Sequence, residues 1–200
     1  NSWAIRFDGG KIGLGTSDAG STEDIEDPTL LSANQWTHFA FTHKNSDSTL
    51  RLFRNGALVA SATSWSPSWS HSANSLLISR YKSGSASFFG NLYLGSSRIV
   101  KNDYIYDSAF TPPTTPFTTN SNTKLLLNFT NASIIDNTMK NNLDTVNNAQ
   151  IDTSVKKFGT GSIYFDGSDS IRWNQSSVQN KAMIIGTGPF TVEFFVYFDG

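Results

Sequence analysis

WTHFAFTHKNSDSTLRLFRNGALVASAT, residues 36–63, reads as two consecutive β-hairpins. From Trp36 to His43 the chain alternates, with Phe39 and Phe41 on one face and His38, Ala40 and Thr42 on the other, the period of two that marks a strand. Asn45-Ser46-Asp47-Ser48 supplies turn chemistry, because short polar side chains hydrogen-bond their own backbone. Leu50–Arg54 alternates again. Asn55-Gly56 is the strongest two-residue hairpin signal, since a type I′ turn needs positive φ at both central positions. Ala57–Thr63 runs back as a third strand. The expected product is a three-stranded antiparallel meander whose core holds Phe39, Phe41, Leu50 and Leu52, with the rest of the chain packed against it.

The composition agrees with an all-β chain. Phe (15), Tyr (6) and Trp (5) favour strands, while 15 Gly and abundant Asn, Ser and Thr favour turns. No run of a dozen residues carries apolar side chains at helical spacing, so little helix is expected. Two hundred residues suffice for one large sandwich or two small domains. Formal net charge is −1 and the basic residues are scattered, with Lys156-Lys157 and Arg51/Arg54 the nearest approach to clusters. That distribution offers no electrostatic footprint for nucleic acid or an anionic membrane. With no cysteine there is neither a disulfide nor a thiolate metal site. No stretch reads as a signal peptide or a membrane span. Asn1 in place of an initiating Met reads as a piece of something longer.

Around the meander, Ser2–Phe7 and Lys11–Gly15 read as a short hairpin turned at Asp8-Gly9-Gly10. Residues 16–34 and 130–148 read as polar loops. Ser75–Ser79 is strand-like, and Phe88–Val100 reads as a strand interrupted at Gly90 and Gly95, places for bulges or bends. Tyr104–Asn122 holds Pro112, Pro113 and Pro116 and reads as an edge-hugging or linking stretch. Lys124–Phe129 starts a new strand, and Phe158–Asp166 with Ser170–Trp173 reads as a hairpin around Asp166-Gly167. Ile185–Phe198 reads as a closing strand of strict alternation, with Phe190, Val192, Phe194, Val196 and Phe198 on one face and Thr191, Glu193, Phe195 and Tyr197 on the other; aromatics on both faces are the signature of a central strand covered on both sides.

Four segments together resemble the laminin G-like, or concanavalin A-like, jelly-roll family. They are KFGTGSIYFDGSDSI (157–171), GPFTVEFFVYF (188–198), NQWTHFAFTHKNSDSTLRLFRNGALVAS (34–61) and FTPPTTPF (110–117). The resemblance implies an antiparallel β-sandwich of two curved sheets. It also implies carbohydrate binding in many members, a rim calcium in some, and a place among bacterial surface proteins and tailed-phage virion proteins. The order of segments departs from the family's. Residues 1–118 look like the later part of one sandwich, 119–122 like a linker, and 123–200 like the opening part of a following sandwich or of the same one, permuted. If both parts close into one sandwich, Phe190–Phe198 should lie beside strands of residues 1–100; otherwise the chain contains parts of two tandem sandwiches.

Catalysis is not expected. A glycosidase needs two carboxylates at defined separation. The run Glu23-Asp24-Ile25-Glu26-Asp27 lies in a loop without a strand frame, and Glu193 stands alone among Phe and Val. His38, His43 and His71 lack a nucleophile in a recognisable elbow. If calcium is bound, Asp24, Glu26 and Asp27 are the first candidates, with Asp18 and Glu23 nearby and Asp166 and Asp169 as a second set; against this stands the ordinary use of Asp in turns. For sugar stacking, the serine-rich loop 64–74 offers Trp65, Trp69 and His71, with Tyr81 a strand away; the competing role for the tryptophans is packing within the chain or against a neighbouring subunit. The expected function is a non-enzymatic module on a virion or in the extracellular space, for adhesion or glycan recognition. Its partners would be host glycans, other copies or other virion proteins. The alternative is a purely architectural module, and a degenerate glycoside hydrolase ranks third.

Overall fold

The structure is a computed structural model that describes residues 2–8, 10–17, 21–65, 77–78, 80–83, 86–89, 91–131, 133–173 and 188–199. The described residues form strands and connections without helix. In chain order the strands are β1 (Ser2–Asp8), β2 (Lys11–Ser17), β3 (Ser21–Glu26), β4 (Trp36–Lys44), β5 (Thr49–Arg54), β6 (Ala57–Ala62), β7 (Leu77–Ile78) and β8 (Arg80–Ser83). They continue with β9 (Ala86–Phe89), β10 (Asn91–Lys101), β11 (Thr123–Leu127), β12 (Leu143–Val146), β13 (Gln150–Asp152), β14 (Ser162–Asp166), β15 (Ser170–Trp173) and β16 (Phe190–Phe198).

The meander forms as its sequence dictates. β4, β5 and β6 pair antiparallel in order, and the turn between β5 and β6 has Asn55 at φ 49° and Gly56 at φ 80°. The Asn55 side chain accepts from the His38 N–H (2.9 Å) while its own N–H reaches the His38 carbonyl (2.8 Å), so the pairing continues into the turn. This meander is one flank of an eight-stranded sheet ordered β13-β14-β10-β16-β4-β5-β6, with β11 also on β10. β16 lies between β10 and β4, antiparallel to both. Strands from 123–200 and strands from 1–118 therefore share one hydrogen-bonded sheet.

Alternation sorts the side chains of this sheet. Phe39, Phe41, Leu50, Leu52, Leu92, Leu94, Ile163, Phe165, Phe190, Val192 and Val196 meet in one core on the inner face. Ile12, Leu14 and Ile25 of the β1-β2-β3 sheet and Ile171 of the β12-β15-β7 sheet join them as the facing layer. Burying each such phenylalanine contributes up to about 3 kcal/mol relative to exposure. The result is an all-β antiparallel sandwich.

Several connections differ from their sequence expectation, each for a physical reason. The polar stretch after residue 16 contributes β3, which pairs with β2 and anchors itself through Ile25 in the core and the Asp27 N–H on the Ile12 carbonyl (2.8 Å). The Asn-rich stretch 130–148 contributes β12, paired with β15. β14 and β15 do not form a hairpin: β14 pairs with β10 and β13, and β15 with β12 and β7, in the opposite layer. Residues 167–169 are an arch across the sandwich, held by the buried Asp169 carboxylate, which accepts from the Asn148 N–H (2.8 Å) and the Asp166 N–H (3.1 Å). Gly95 marks a shift in the pairing of β10 with β16, between Leu94 and Ser97. Residues 119–122 make a tight turn in which the Lys101 N–H reaches the Asn122 carbonyl (3.1 Å) and Asn120 Oδ1 takes the Asn122 N–H (2.9 Å).

The proline-bearing stretch has the largest change of role. It neither hugs an edge nor merely links, but crosses the outer face of the large sheet. Proline lacks an N–H for a ladder, so the segment is fastened by isolated bonds. Ile105 N–H donates to Thr191 Oγ1 (2.9 Å), Thr42 Oγ1 to the Tyr106 carbonyl (2.8 Å), Phe110 N–H to the Gly56 carbonyl (3.0 Å) and Phe117 N–H to Ser96 Oγ (3.0 Å).

Candidate functional site

Beneath this strap lies a buried polar cluster. β4 and β16 set His38 and Glu193 on the outer face, and the β10 register places Arg98 directly opposite Glu193. Glu193 is fully buried; its Oε1 accepts from Arg98 Nε (2.8 Å) and Nη2, and its Oε2 from the Tyr106 hydroxyl (3.0 Å) and His38 Nε2 (3.3 Å). Arg98 also donates to the Thr118 carbonyl (2.8 Å) and lies over the Phe117 ring. Burial, together with the Glu193 carboxylate, pushes the Tyr106 hydroxyl well above the usual phenol range. The rings of Phe110, Phe117 and Phe195 surround His38 at 5.6, 5.9 and 4.7 Å between centroids. Glu193 thus stands alone in sequence but not in space, and its lone pairs are committed to fastening the strap.

The remainder of the outer face carries a different arrangement. Trp36, Tyr197, Tyr93 and Tyr164 sit directly opposite one another on β4, β16, β10 and β14. Their ring centroids step at 5.7, 5.6 and 4.7 Å across four adjacent strands, close to the spacing of strands in a sheet. The Tyr197 ring stands edge-on to Tyr93 at 82°, a geometry that aromatic pairs prefer, whereas Tyr93 and Tyr164 are tilted 35° to each other. Each ring is partly exposed. Amides line the row: Asn34 Oδ1 accepts from the Tyr197 hydroxyl (3.3 Å), Asn91 Oδ1 from the Tyr164 hydroxyl (3.4 Å), and Gln150 is paired opposite Tyr164. Gly95 leaves room for Trp36, since a side-chain carbon there would come within 3.1 Å of the indole. At that end Trp36 packs against the cluster of Phe117, Leu126 and Phe195.

The residues singled out from sequence are placed elsewhere. Trp65 is buried, its indole edge-on to His43 (4.9 Å) and Phe190 (5.9 Å), so its faces are used in the interior rather than offered to a sugar. Trp69, His71 and Asp18 lie outside the described residues. Tyr81 pairs with Phe88 in the β8–β9 ribbon. Asp24 is the extra residue at a register shift in β3. Glu26 and Asp27 do not fit a calcium site: Glu26 Oε1 takes Lys11 Nζ (3.0 Å), and the buried Asp27 takes the Thr29 N–H (2.9 Å) and Arg54 Nη1 (3.3 Å), cations and N–H donors where a metal would need free oxygens. Among the described residues no three His, Asp or Glu side chains gather to hold a metal.

Sequence reasoning missed the aromatic row because its members come from four separate strands. The signal was present in part: Tyr197 belongs to the strictly alternating strand and faces away from Phe190, Val192, Phe194 and Val196. Only the register brings Tyr93 and Tyr164 beside it.

No curated protein and no solved structure matches the chain. Residues 1–96 match the family model Laminin_G_3, described as the concanavalin A-like lectin/glucanases superfamily. That match over residues 1–96 and the antiparallel sandwich together support a laminin G-like, concanavalin A-like domain.

Proposed function

We propose that this chain is a non-enzymatic β-sandwich module that recognises glycans at a virion or cell surface. The observation that carries the reading is the partly exposed row Trp36–Tyr197–Tyr93–Tyr164 with Asn34 and Asn91 at its sides. Planar rings take the C–H faces of pyranoses, and amides beside them take hydroxyls, the mixture of apolar surface and a few polar groups that small-molecule sites use. The lectin-containing superfamily supports the same reading. Catalysis finds no support at Glu193, which is fully buried and bonded by Arg98, Tyr106 and His38. A glycan array followed by titration of the strongest binder tests the reading. Trp36→Ala and Tyr93→Ala should each abolish or weaken binding at least about tenfold while the protein stays folded. Unchanged binding in both folded variants would remove the site. The second reading, an architectural module making protein contacts only, is favoured by β6, which ends the large sheet among the described residues and carries Leu58 48 % exposed. Self-association lost on Leu58→Lys, in a protein that ignores every glycan, would establish it.

A further inference from the structure

The two ends of the aromatic row differ in charge. Beyond Tyr93 and Tyr164 the register places acidic residues: Asp166 is opposite Asn91, Asp152 is opposite Ser162, two residues from Tyr164 along β14, and Asp199 follows Phe198, which is opposite Leu92. Asp152 is kept below the usual carboxylate range first by the Val155 N–H and then by the Ser154 hydroxyl and N–H. Asp166 is kept low by the Ser168 hydroxyl and N–H. Both are therefore ionised at neutral pH. Their field reaches the rings. After burial, the carboxylates of Asp199 and Asp152 push the Tyr93 hydroxyl up, and those of Asp199, Asp166 and Asp169 push the Tyr164 hydroxyl up. At the Trp36 end Lys157 has its ammonium over the Phe158 ring (5.6 Å) and the Phe195 ring (5.4 Å), beside Gly95.

Granted that the row binds sugar, as proposed above, we propose further that it selects uncharged glycan chains lying across the strands, because the carboxylates of Asp152, Asp166 and Asp199 flank its Tyr93–Tyr164 end and repel acidic sugars. A neutral chain meets rings, hydroxyls and amides. A chain with a carboxylate on every sugar brings like charges to that end whichever way it runs, and Lys156 near Asp152 with Lys157 at the other end are too few to offset them all. Like charges a few ångströms apart in water repel measurably, and salt screens the repulsion.

The test uses neutral hexasaccharides (cellohexaose, maltohexaose, mannohexaose) and hexagalacturonate, titrated calorimetrically at about 0.01 M and about 1 M salt. At least one neutral chain should bind, and hexagalacturonate should bind at least about tenfold more weakly at low salt, the gap narrowing at high salt. Asp199→Asn, at an exposed position, should narrow the low-salt gap without weakening the neutral ligand. Hexagalacturonate binding as tightly as the neutral chains would overturn the selectivity while leaving glycan recognition standing. Neutral binding that survives in a folded Tyr93→Ala/Tyr164→Ala variant would overturn the placement. If no saccharide binds, glycan recognition itself falls.

Discussion

Replacing Glu193 by glutamine tests how the strap is held. The side chain is isosteric, so packing is preserved and the charge alone is removed. In the native protein Glu193 balances Arg98, whose side chain is only 12 % exposed, and accepts from Tyr106 and His38 as well. Removing one partner of a buried pair leaves the other charge uncompensated, a loss of about 3–5 kcal/mol. The present geometry belongs toward the upper end, because Glu193 Oε1 is bonded by two nitrogens of Arg98 and an amide there presents a donor to the guanidinium or to the phenol. Arg98→Met alone should cost a similar amount, leaving a buried carboxylate. The double variant Arg98→Met/Glu193→Met should recover much of the loss, since apolar groups of similar volume can replace a buried pair at little cost. Urea unfolding of the native protein, Arg98→Met, Glu193→Met and the double variant, compared at equal slope, gives the coupling directly. A loss below about 1 kcal/mol in both single variants would mean that the pair is as well hydrated as a surface salt bridge, and the account of the strap would be refuted.

Other consequences are smaller in scope. Gly56→Ala should lower the melting temperature, because a Cβ at φ 80° would come within 1.8 Å of the Phe110 carbonyl oxygen; the left-handed residue alone costs about 1–2 kcal/mol, and displacing the strap adds to it. Trp65→Ala should destabilise by about 3–5 kcal/mol in denaturant titration and leave glycan affinity of the folded fraction unchanged. His43 is buried against Trp65 and Phe190, and burial lowers its pKa below 6.5 despite the Gly188 carbonyl on Nδ1. The unfolded chain then binds a proton that the folded protein refuses. Stability is full above about pH 6.5 and falls as pH drops through the window below it, down to the folded-state pKa. The urea midpoint should show that slope in the native protein and lose it in His43→Gln.

The meander was legible residue by residue, because period-two alternation and Asn55-Gly56 act over a few neighbours and demand one register. The central position of β16 was legible for the same reason: aromatics on both faces require cover on both faces. The arch at Gly167 was not. A Gly-bearing turn between two strand-like runs looks the same whether they pair or face one another across a core, and what decides is Asp169 reaching the Asn148 N–H, a contact 21 residues away in sequence. β3 was hidden by its polarity, since Ile25 is the one apolar residue in its sequence STEDIE and packs into the core. The aromatic row was hidden by distance. Trp36 and Tyr197 are adjacent only because β16 enters the sheet beside β4, and no local pattern in either segment announces the other. Trp65 misled because an aromatic among serines looks exposed, and its partners His43 and Phe190 are remote along the chain.

The position of β16 also governs how the molecule can assemble. β4 and β10 do not pair with each other; each pairs with β16, so the strands of 36–62 and those around 91–101 become one sheet only when residues 190–198 dock. Until then two long strand edges stay open, and the contact that closes them spans about 150 residues from His43 to Phe190. Such non-local closure places folding in the millisecond-to-second range and leaves adhesive edges in the intermediate. The same geometry makes the gap a receptor: a chain stopped before Phe190 should capture a separately supplied peptide of residues 188–199, turning the keystone strand into a handle for splitting and reassembling the protein.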